Sequence, residues 1–207
     1  MGKIKNVLKM ASIIALSLAP IKEAKASVSG NVRYIHSEIN QNSYVQSNQF
    51  YKLPQKIRGF TFLDFSKSNG YYGKTSLEKE IYKGINLKNQ TIHCNEPLTQ
   101  TGLGISAKPI SKIPLKLSYL PIWIDKQGKK VDKNILGYYF ALDIPLGLSL
   151  SGFGEWDVSN NPKWTYGEIE LKREIKKRVS LSYNPALKSD GDASPKLENR
   201  ISLAINF

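Results

Sequence analysis

Alternate positions in several segments of this chain carry ionisable or aromatic side chains, with apolar or small residues between them. In the segment 57–65 these positions hold Arg58, Phe60, Phe62 and Asp64. Because neighbouring residues of a strand point to opposite faces, such residues would line one face together. Ring faces can stack on a flat polar solute, and charged groups can hydrogen-bond to its edge. If the strands close into a barrel, the set predicted to face its interior is Arg58, Phe60, Phe62, Asp64, Tyr72, Lys74, Glu78, Tyr139, Phe153, Glu155, Glu168, Glu170 and Lys172.

The same residue types suit a second role. A small barrel fills its interior with side chains, and a network of ion pairs is one way to do so. Glu168 and Glu170 share a predicted face with Lys172, which favours ion pairing over general acid and base catalysis by the two carboxylates. The inward set therefore predicts either a solute-binding lining or a filled interior.

Candidates for catalysis and metal binding are few. The only histidines are His36 and His93, and His36 stands next to Ser37. A catalytic serine needs a positioned base, but adjacent residues of a strand point apart. Cys94 is the only cysteine, which excludes an intrachain disulfide and a cysteine-based metal site. No catalytic residue, metal site or cofactor is predicted, although a lipid-modifying enzyme stays open as an alternative.

The amino terminus has the order of a secretory signal peptide. Early lysines precede the apolar stretch 11–19, and the small-residue triplet 24–26 follows it. The apolar stretch is shorter than the roughly twenty residues that a spanning helix needs. The predicted division is therefore a signal peptide at 1–26 and a single β-barrel domain at 27–207.

Apolar residues in the mature region recur at every second position rather than at helical spacing. In the segment 136–144, Leu, Tyr, Phe, Leu and Ile alternate with Gly, Tyr, Ala and Asp. Polar connections also alternate between long and short, which is typical of bacterial barrels. The pattern predicts an all-β, antiparallel, up-and-down barrel of about twelve strands, with ten as the alternative. The long connections are predicted at 66–70, 94–100, 125–134, 159–163 and 185–198, and the short ones near 83–84, 109–111, 145–146 and 176–177.

Alternation alone fits a soluble sandwich or lipocalin-like protein as well as a membrane barrel. The membrane interpretation is favoured by the export signal, by charges opposite the apolar face, and by aromatic residues near strand ends. The aromatic residues assigned to this outer girdle are Tyr119, Trp123, Tyr138, Trp156, Tyr183 and Phe207.

The net charge of +13 is spread over scattered lysines, many of them in turn-like stretches such as 125–130. This distribution favours solvated loops over a nucleic-acid interface, so no nucleic-acid partner is predicted. Cationic loops near an anionic surface would also be attracted to lipopolysaccharide phosphates.

The last segment places Ile201, Leu203, Ile205 and Phe207 on one face of a terminal strand. This pattern resembles the carboxyl-terminal assembly signal of outer-membrane barrel proteins. The resemblance implies insertion by the barrel assembly machinery and a location in the bacterial outer membrane, among lipids and lipopolysaccharide.

The region 57–82 combines an aromatic-rich strand bearing an acid with the tight hairpin signal Ser68-Asn69-Gly70 and a second aromatic strand. This looks like nucleoside-specific Tsx-type channels, which are small monomeric barrels of twelve strands. The resemblance implies a monomeric, narrow channel for passive uptake of small polar solutes such as nucleosides. A plugged barrel that serves as a lipid-modifying enzyme or a structural or adhesive surface protein is the alternative.

Overall fold

The computed structural model describes residues 26–38, 43–66, 70–94, 100–109, 113–160, 162–189 and 194–207. Nearly all of the predicted signal peptide lies outside these ranges. The described residues form twelve antiparallel strands, of which the last two are each divided into two segments. The strands are β1 Ser27–Ser37, β2 Ser43–Leu53, β3 Ile57–Ser66, β4 Gly70–Tyr82, β5 Ile85–Cys94, β6 Gln100–Ala107, β7 Leu115–Asp125, β8 Ile135–Ile144, β9 Leu148–Asp157, β10 Lys163–Lys176, β11 Val179–Tyr183 with Ala186–Lys188, and β12 Lys196–Glu198 with Arg200–Asn206.

Each strand pairs with its neighbours in sequence, and the first strand closes the sheet against the last. In the closing pair, Arg33 of β1 lies opposite Ala204 of β12, and Tyr34 lies opposite Leu203. Phe207 extends this seam, because its N–H donates to the Gly30 carbonyl at 2.9 Å and its carbonyl accepts from the Gly30 N–H at 3.1 Å. Closure leaves no sheet edge between β1 and β12. The predicted twelve-stranded barrel is therefore confirmed, and the ten-stranded alternative is wrong.

The connections place short turns at one end of the barrel, called here the turn end, and longer loops at the other, called the loop end. Turns at 54–56, 83–84, 145–147 and 177–178 join consecutive strands at the turn end. The predicted long connections at 66–70 and 94–100, and the short one at 109–111, fall partly outside the described residues. The connection predicted at 185–198 is shorter than expected, because Ala186–Lys188 and Lys196–Glu198 continue the pairing of the last two strands.

The two faces of the barrel differ in chemistry, as the alternation indicated. Large apolar side chains on the outer face remain exposed, including Leu136 and Leu142 of β8 and Ile201, Leu203 and Ile205 of β12. Side chains on the inner face are largely polar and many of them are buried. The buried polar set includes Arg33, Gln46, Asn48, Gln90, Ser106, Ser118, Asp157, Ser180, Ser182, Asn184, Arg200 and Ser202.

Trp123 corrects one expectation, because the sequence pattern assigned it to the outer aromatic girdle. Leu103 pairs with Ile122 and Ile105 pairs with Tyr119, so β7 carries one extra residue opposite β6. A bulge of one residue moves the following side chains to the other face. Trp123 therefore points into the barrel, where it is wholly buried.

No helix within the described ranges is long and apolar enough to cross a membrane.

Candidate functional site

An ion pair crosses the barrel interior between two nearly opposite strands. Lys74 of β4 donates from Nζ to Oε2 of Glu155 on β9 at 2.6 Å, and Gln90 of β5 donates to Oε1 of the same carboxylate at 3.1 Å. The two charged side chains are only 13% and 16% exposed. We call the Lys74–Glu155 pair the strut. It links opposite walls, so it divides the interior into two parts.

Further ion pairs connect other inner-face residues. Arg33 of β1 pairs with Glu170 of β10 and also donates to Gln46 at 3.2 Å, while Gln46 donates to Asp64 at 2.8 Å. Because Glu170 lies three strands from Arg33 around the closed sheet, this chain of contacts binds β10 to β1, β2 and β3. It holds one side of the interior in a fixed arrangement.

The part of the interior between β4 and β7 contains a second group of paired charges. Lys116 of β7 pairs with Glu78 of β4, and Lys88 of β5 donates to the Ser118 hydroxyl at 3.3 Å. Each of these contacts spans at least one intervening strand. They add to the strut in filling the interior on the side enclosed by β4 to β7.

Arg200 of β12 organises a third group near the loop end. Its guanidinium donates to Glu198 at 2.5 Å and to the Tyr166 hydroxyl at 2.8 Å, and it lies 3.4 Å from Glu168. It also lies over the ring of Tyr44, 5.8 Å from the centroid. A buried guanidinium needs this many acceptors, because an isolated buried charge is strongly unfavourable.

A row of aromatic rings follows the inner wall of β2, β3 and β4. The ring centroids of Phe50 and Phe60 are 4.9 Å apart, those of Phe60 and Phe62 are 6.2 Å apart, and those of Phe62 and Tyr72 are 5.8 Å apart. Phe50 is 45% exposed and Tyr72 is 40% exposed although both point inward. We call these four residues the aromatic row. The rings at its two ends are therefore not covered by protein, whereas Phe60 and Phe62 between them are partly buried.

A small apolar cluster fills the interior near the loop end of β7 and β8. Leu120, Trp123 and Ile135 are buried together, with Ile92 and Val131 packed against them. The connection between β7 and β8 folds onto this cluster, because Val131 donates its N–H to the Trp123 carbonyl at 2.8 Å. The cluster fills part of the interior at the loop end, beside β5, β7 and β8.

Lys133 of the same connection lies with Nζ 4.3 Å from the Trp123 ring centroid, within the range of a cation–π contact. Burial, followed by the charge of Lys74, lowers the pKa of its ammonium, while Glu155 and Asp157 oppose that shift.

The structure brings most of the residues singled out from sequence to one interior. Lys74, Glu155, Glu78, Glu168 and Glu170 lie in the ion pairs above. Phe153 lies 5.4 Å from Tyr166 between ring centroids, and Tyr139 is the cross-strand neighbour of Phe153. Arg58 and Lys172 lie on the inner-face side of β3 and β10, nearer the turn end. Phe60, Phe62, Asp64 and Tyr72 form or flank the aromatic row.

Sequence reasoning missed several residues of this interior. Phe50, Gln46 and Arg33 belong to the first hairpin, which is the least apolar part of the mature chain. The alternation of Tyr44, Gln46, Asn48 and Phe50 along β2 is the signal that would have found Gln46 and Phe50.

His36 and Ser37 form the adjacent histidine–serine pair of β1. His36 and Ser37 point to opposite faces, as the strand pattern requires, and His36 Nδ1 instead lies 3.2 Å from the Ser43 hydroxyl. The nearby carboxylate of Glu38 accepts from Asn199 at 3.1 Å. Glu38 is thus engaged elsewhere rather than positioned to orient the imidazole. Within the described ranges, no group of three or more metal-ligating side chains is present.

Comparison with solved structures decides the type of fold. The chain resembles the NanC porin with a TM-score of 0.57 and 8% sequence identity, over 86% of this chain and 98% of that one. It resembles the KdgM porin with a TM-score of 0.55 and 6% identity, over the same shares. The fold is that of a small porin barrel. A KdgM porin solved in complex with disordered oligogalacturonate gives a TM-score of 0.53 at 7% identity.

No family model matches the sequence, and no curated protein matches it. The likeness to NanC and KdgM porins is therefore structural, at very low identity. It bears on the barrel architecture, while the resemblance to Tsx-type channels stays a prediction.

Proposed function

We propose that this chain forms a narrow channel for passive passage of small polar solutes across the bacterial outer membrane. The observation that carries the proposal is the contrast between the faces of a closed barrel. The outer face presents exposed Leu and Ile, and the inner face combines polar groups with rings that remain open to water. An apolar exterior suits lipid, and a wet, polar interior suits a solute path.

The interior filling supports a narrow path rather than a wide pore. The strut joins β4 to β9, Lys116 of β7 pairs with Glu78 of β4, and Lys88 of β5 donates to Ser118 of β7. Phe50 and Tyr72 at the ends of the aromatic row are exposed, as is Tyr139 on the inner face of β8. A passing solute would therefore meet exposed rings, most of them on the wall formed by β2, β3 and β4.

The outer-membrane location and its partners are part of the proposal. Phe207 and the apolar face of β12 support recognition by the barrel assembly machinery, with the turn end on the periplasmic side. Lys126, Lys129 and Lys130 are exposed at the loop end, where they would meet lipopolysaccharide phosphates. We propose a monomer, in which a single barrel encloses the path.

The class of solute is the finer part of the proposal. Nucleosides fit the aromatic row, since their bases can stack on rings. One KdgM porin was solved with oligogalacturonate, an acidic sugar chain. In the barrel described above, Arg33, Lys74, Lys116 and Arg200 each pair with a carboxylate, so these four cations are already engaged.

Reconstitution tests the channel directly. Refolded protein is identified by the shift of its gel migration on heating and is then inserted into planar lipid bilayers. Discrete conductance steps, together with entry of small uncharged solutes into proteoliposomes, are the expected result. Folded barrels that give neither conductance nor solute entry would show a plugged interior and favour the structural or surface-protein alternative. Recovery of the native protein in the soluble periplasm would end the membrane interpretation.

A further inference from the structure

We infer that the aromatic row is a stacking track that selects uncharged solutes carrying a ring with apolar faces and a hydrogen-bonding edge. This inference rests on the proposed channel function and names the solute chemistry that the same interior would favour. Sugar rings and nucleosides share that chemistry. Open-chain polyols and acidic sugars do not.

The rings of the aromatic row lie close enough together for a solute to move from one to the next. Neighbouring centroids along Phe50, Phe60, Phe62 and Tyr72 are separated by 4.9, 6.2 and 5.8 Å, so a ring leaving one contact is already within reach of the next. The row begins near the turn end on β2 and reaches the loop end on β4. A solute could pass along it by exchanging stacking partners without losing all contact at once.

The rings at the two ends of the aromatic row are accessible. Aromatic side chains that only fill a barrel would be covered by their neighbours, as Trp123 is at 0% exposure. The two ends of the row remain 45% and 40% exposed at Phe50 and Tyr72. The row therefore offers apolar ring surface to whatever occupies the interior.

Polar groups lie beside the rings at the right positions to meet a solute's edge. Asp64 is the cross-strand neighbour of Tyr72, and Lys74 is the cross-strand neighbour of Phe62. Asp64 accepts from Gln46 through Oδ1, and a carboxylate has further acceptor capacity. Hydroxyl groups on a ring's edge could donate to Asp64 while the ring's face lies on Phe62.

The charged side chains beside the aromatic row bear on which solutes it rejects. Lys74, directly opposite Phe62 in the middle of the row, is held by Glu155, and Arg33 of β1 is held by Glu170. Lys52 and Arg58 are exposed at the turn end of the row, two residues from Phe50 and Phe60 on the same strands. Beyond that end, an anionic solute would have to separate a buried pair or pass without a counter-charge. An uncharged solute meets neither penalty, so the middle of the row favours neutral rings.

The test measures solute passage and current block on the refolded, full mature chain. Proteoliposome swelling compares glucose with sorbitol, which has similar size and hydroxyl content but no ring. Bilayer recordings then measure the residence time of maltose, adenosine and trigalacturonate from their current blocks. We expect glucose to enter faster than sorbitol, and maltose or adenosine to reside longer than trigalacturonate. If maltose resides longer than adenosine, the track favours sugars, and if adenosine resides longer, it favours nucleosides.

The variants separate stacking from general disruption. F60A and F62A should each shorten the neutral solute's residence by about fivefold, the lower end of the effect of removing one stacking ring. The control is F65A, which removes an aromatic ring from the outer face of the same strand and should leave residence unchanged. All variants are compared only after heat-modifiable migration shows that the barrel has formed.

Two results would overturn the track while leaving the channel intact. One is equal passage of glucose and sorbitol through an open channel, and the other is residence times in F60A and F62A that match F65A. Longer residence of trigalacturonate than of both neutral solutes would also overturn the selection of uncharged rings. Folded protein without any conductance would instead remove the proposed channel itself, and the track with it.

Discussion

The strut offers a quantitative test of how the barrel interior is held together. Glu155→Gln removes one charge while keeping the size of the side chain, and it leaves the Lys74 ammonium without its partner at 2.6 Å. Removing one member of a buried pair typically costs about 3–5 kcal/mol, because the remaining charge stays buried and uncompensated. The two side chains are 13% and 16% exposed, so we expect a loss near the lower end, about 3 kcal/mol.

The double variant Lys74→Met with Glu155→Gln removes both charges and should recover most of that loss. Replacement of a whole buried pair is often close to neutral, since the desolvation of both charges is avoided. The control is Lys56→Met, which breaks the exposed Lys56–Glu80 pair at 3.6 Å near the turn end. That change should not alter stability measurably, because solvent screens such pairs.

Unfolding in urea, followed by tryptophan fluorescence in lipid vesicles, gives the free energy of unfolding for each variant. Single-channel recording supplies an independent reading, because Lys74→Ala with Glu155→Ala removes the bridge between the walls and should raise conductance. Two findings would refute the reasoning. They are an unfolding free energy for Glu155→Gln equal to that of the unaltered chain, and an unchanged conductance in the double alanine variant.

Three further changes test other parts of the barrel by the same unfolding and gel-migration assays. Trp123→Ala should lower the free energy of unfolding by about 3–5 kcal/mol, because it empties the apolar cluster at the loop end; a loss under about 1 kcal/mol would place the ring outside that cluster. Leu203→Arg should cost about 2–4 kcal/mol if β12 faces lipid near the bilayer midplane, and an unaltered stability would argue that this face meets water. Gly104→Ala should prevent barrel formation, since its Cβ would lie 2.0 Å from the Tyr119 carbonyl oxygen. Gly128→Ala is its control, with open space around the Cβ and only the cost of a left-handed residue, about 1–2 kcal/mol, to oppose it. Normal assembly of the Gly104 variant would contradict the close strand approach at the β7 bulge.

Much of the barrel could be predicted because two-residue alternation directly reports which face a side chain occupies. The last strand shows this best, since Ile201, Leu203 and Ile205 are exposed outside while Arg200 and Ser202 are buried inside. Connection lengths added the direction of each strand. Together these local signals favoured twelve strands over ten and gave the facing of most side chains.

Contacts across the interior could not be predicted in the same way. Lys74 and Glu155 are 81 residues apart, and their meeting depends on strand register and on closure of the sheet. Neither quantity is encoded in the alternation of a single strand. The bulge in β7 is similar, because one extra residue reverses the facing of Trp123 without changing the apolar pattern that precedes it.

The filled interior and the proposed track depend on each other. An ion-pair network that crosses a barrel would block a path if it occupied the whole cross-section. The paired groups instead join β4 to β7 and β9, and β10 to β1 and β12, while Phe50 and Tyr72 at the two ends of the aromatic row remain exposed. A network that spans the interior in this way would confine a solute to the exposed rings. Under that confinement even weak stacking would act on every passing molecule, so the rings would control selectivity more strongly than they could in a wide pore.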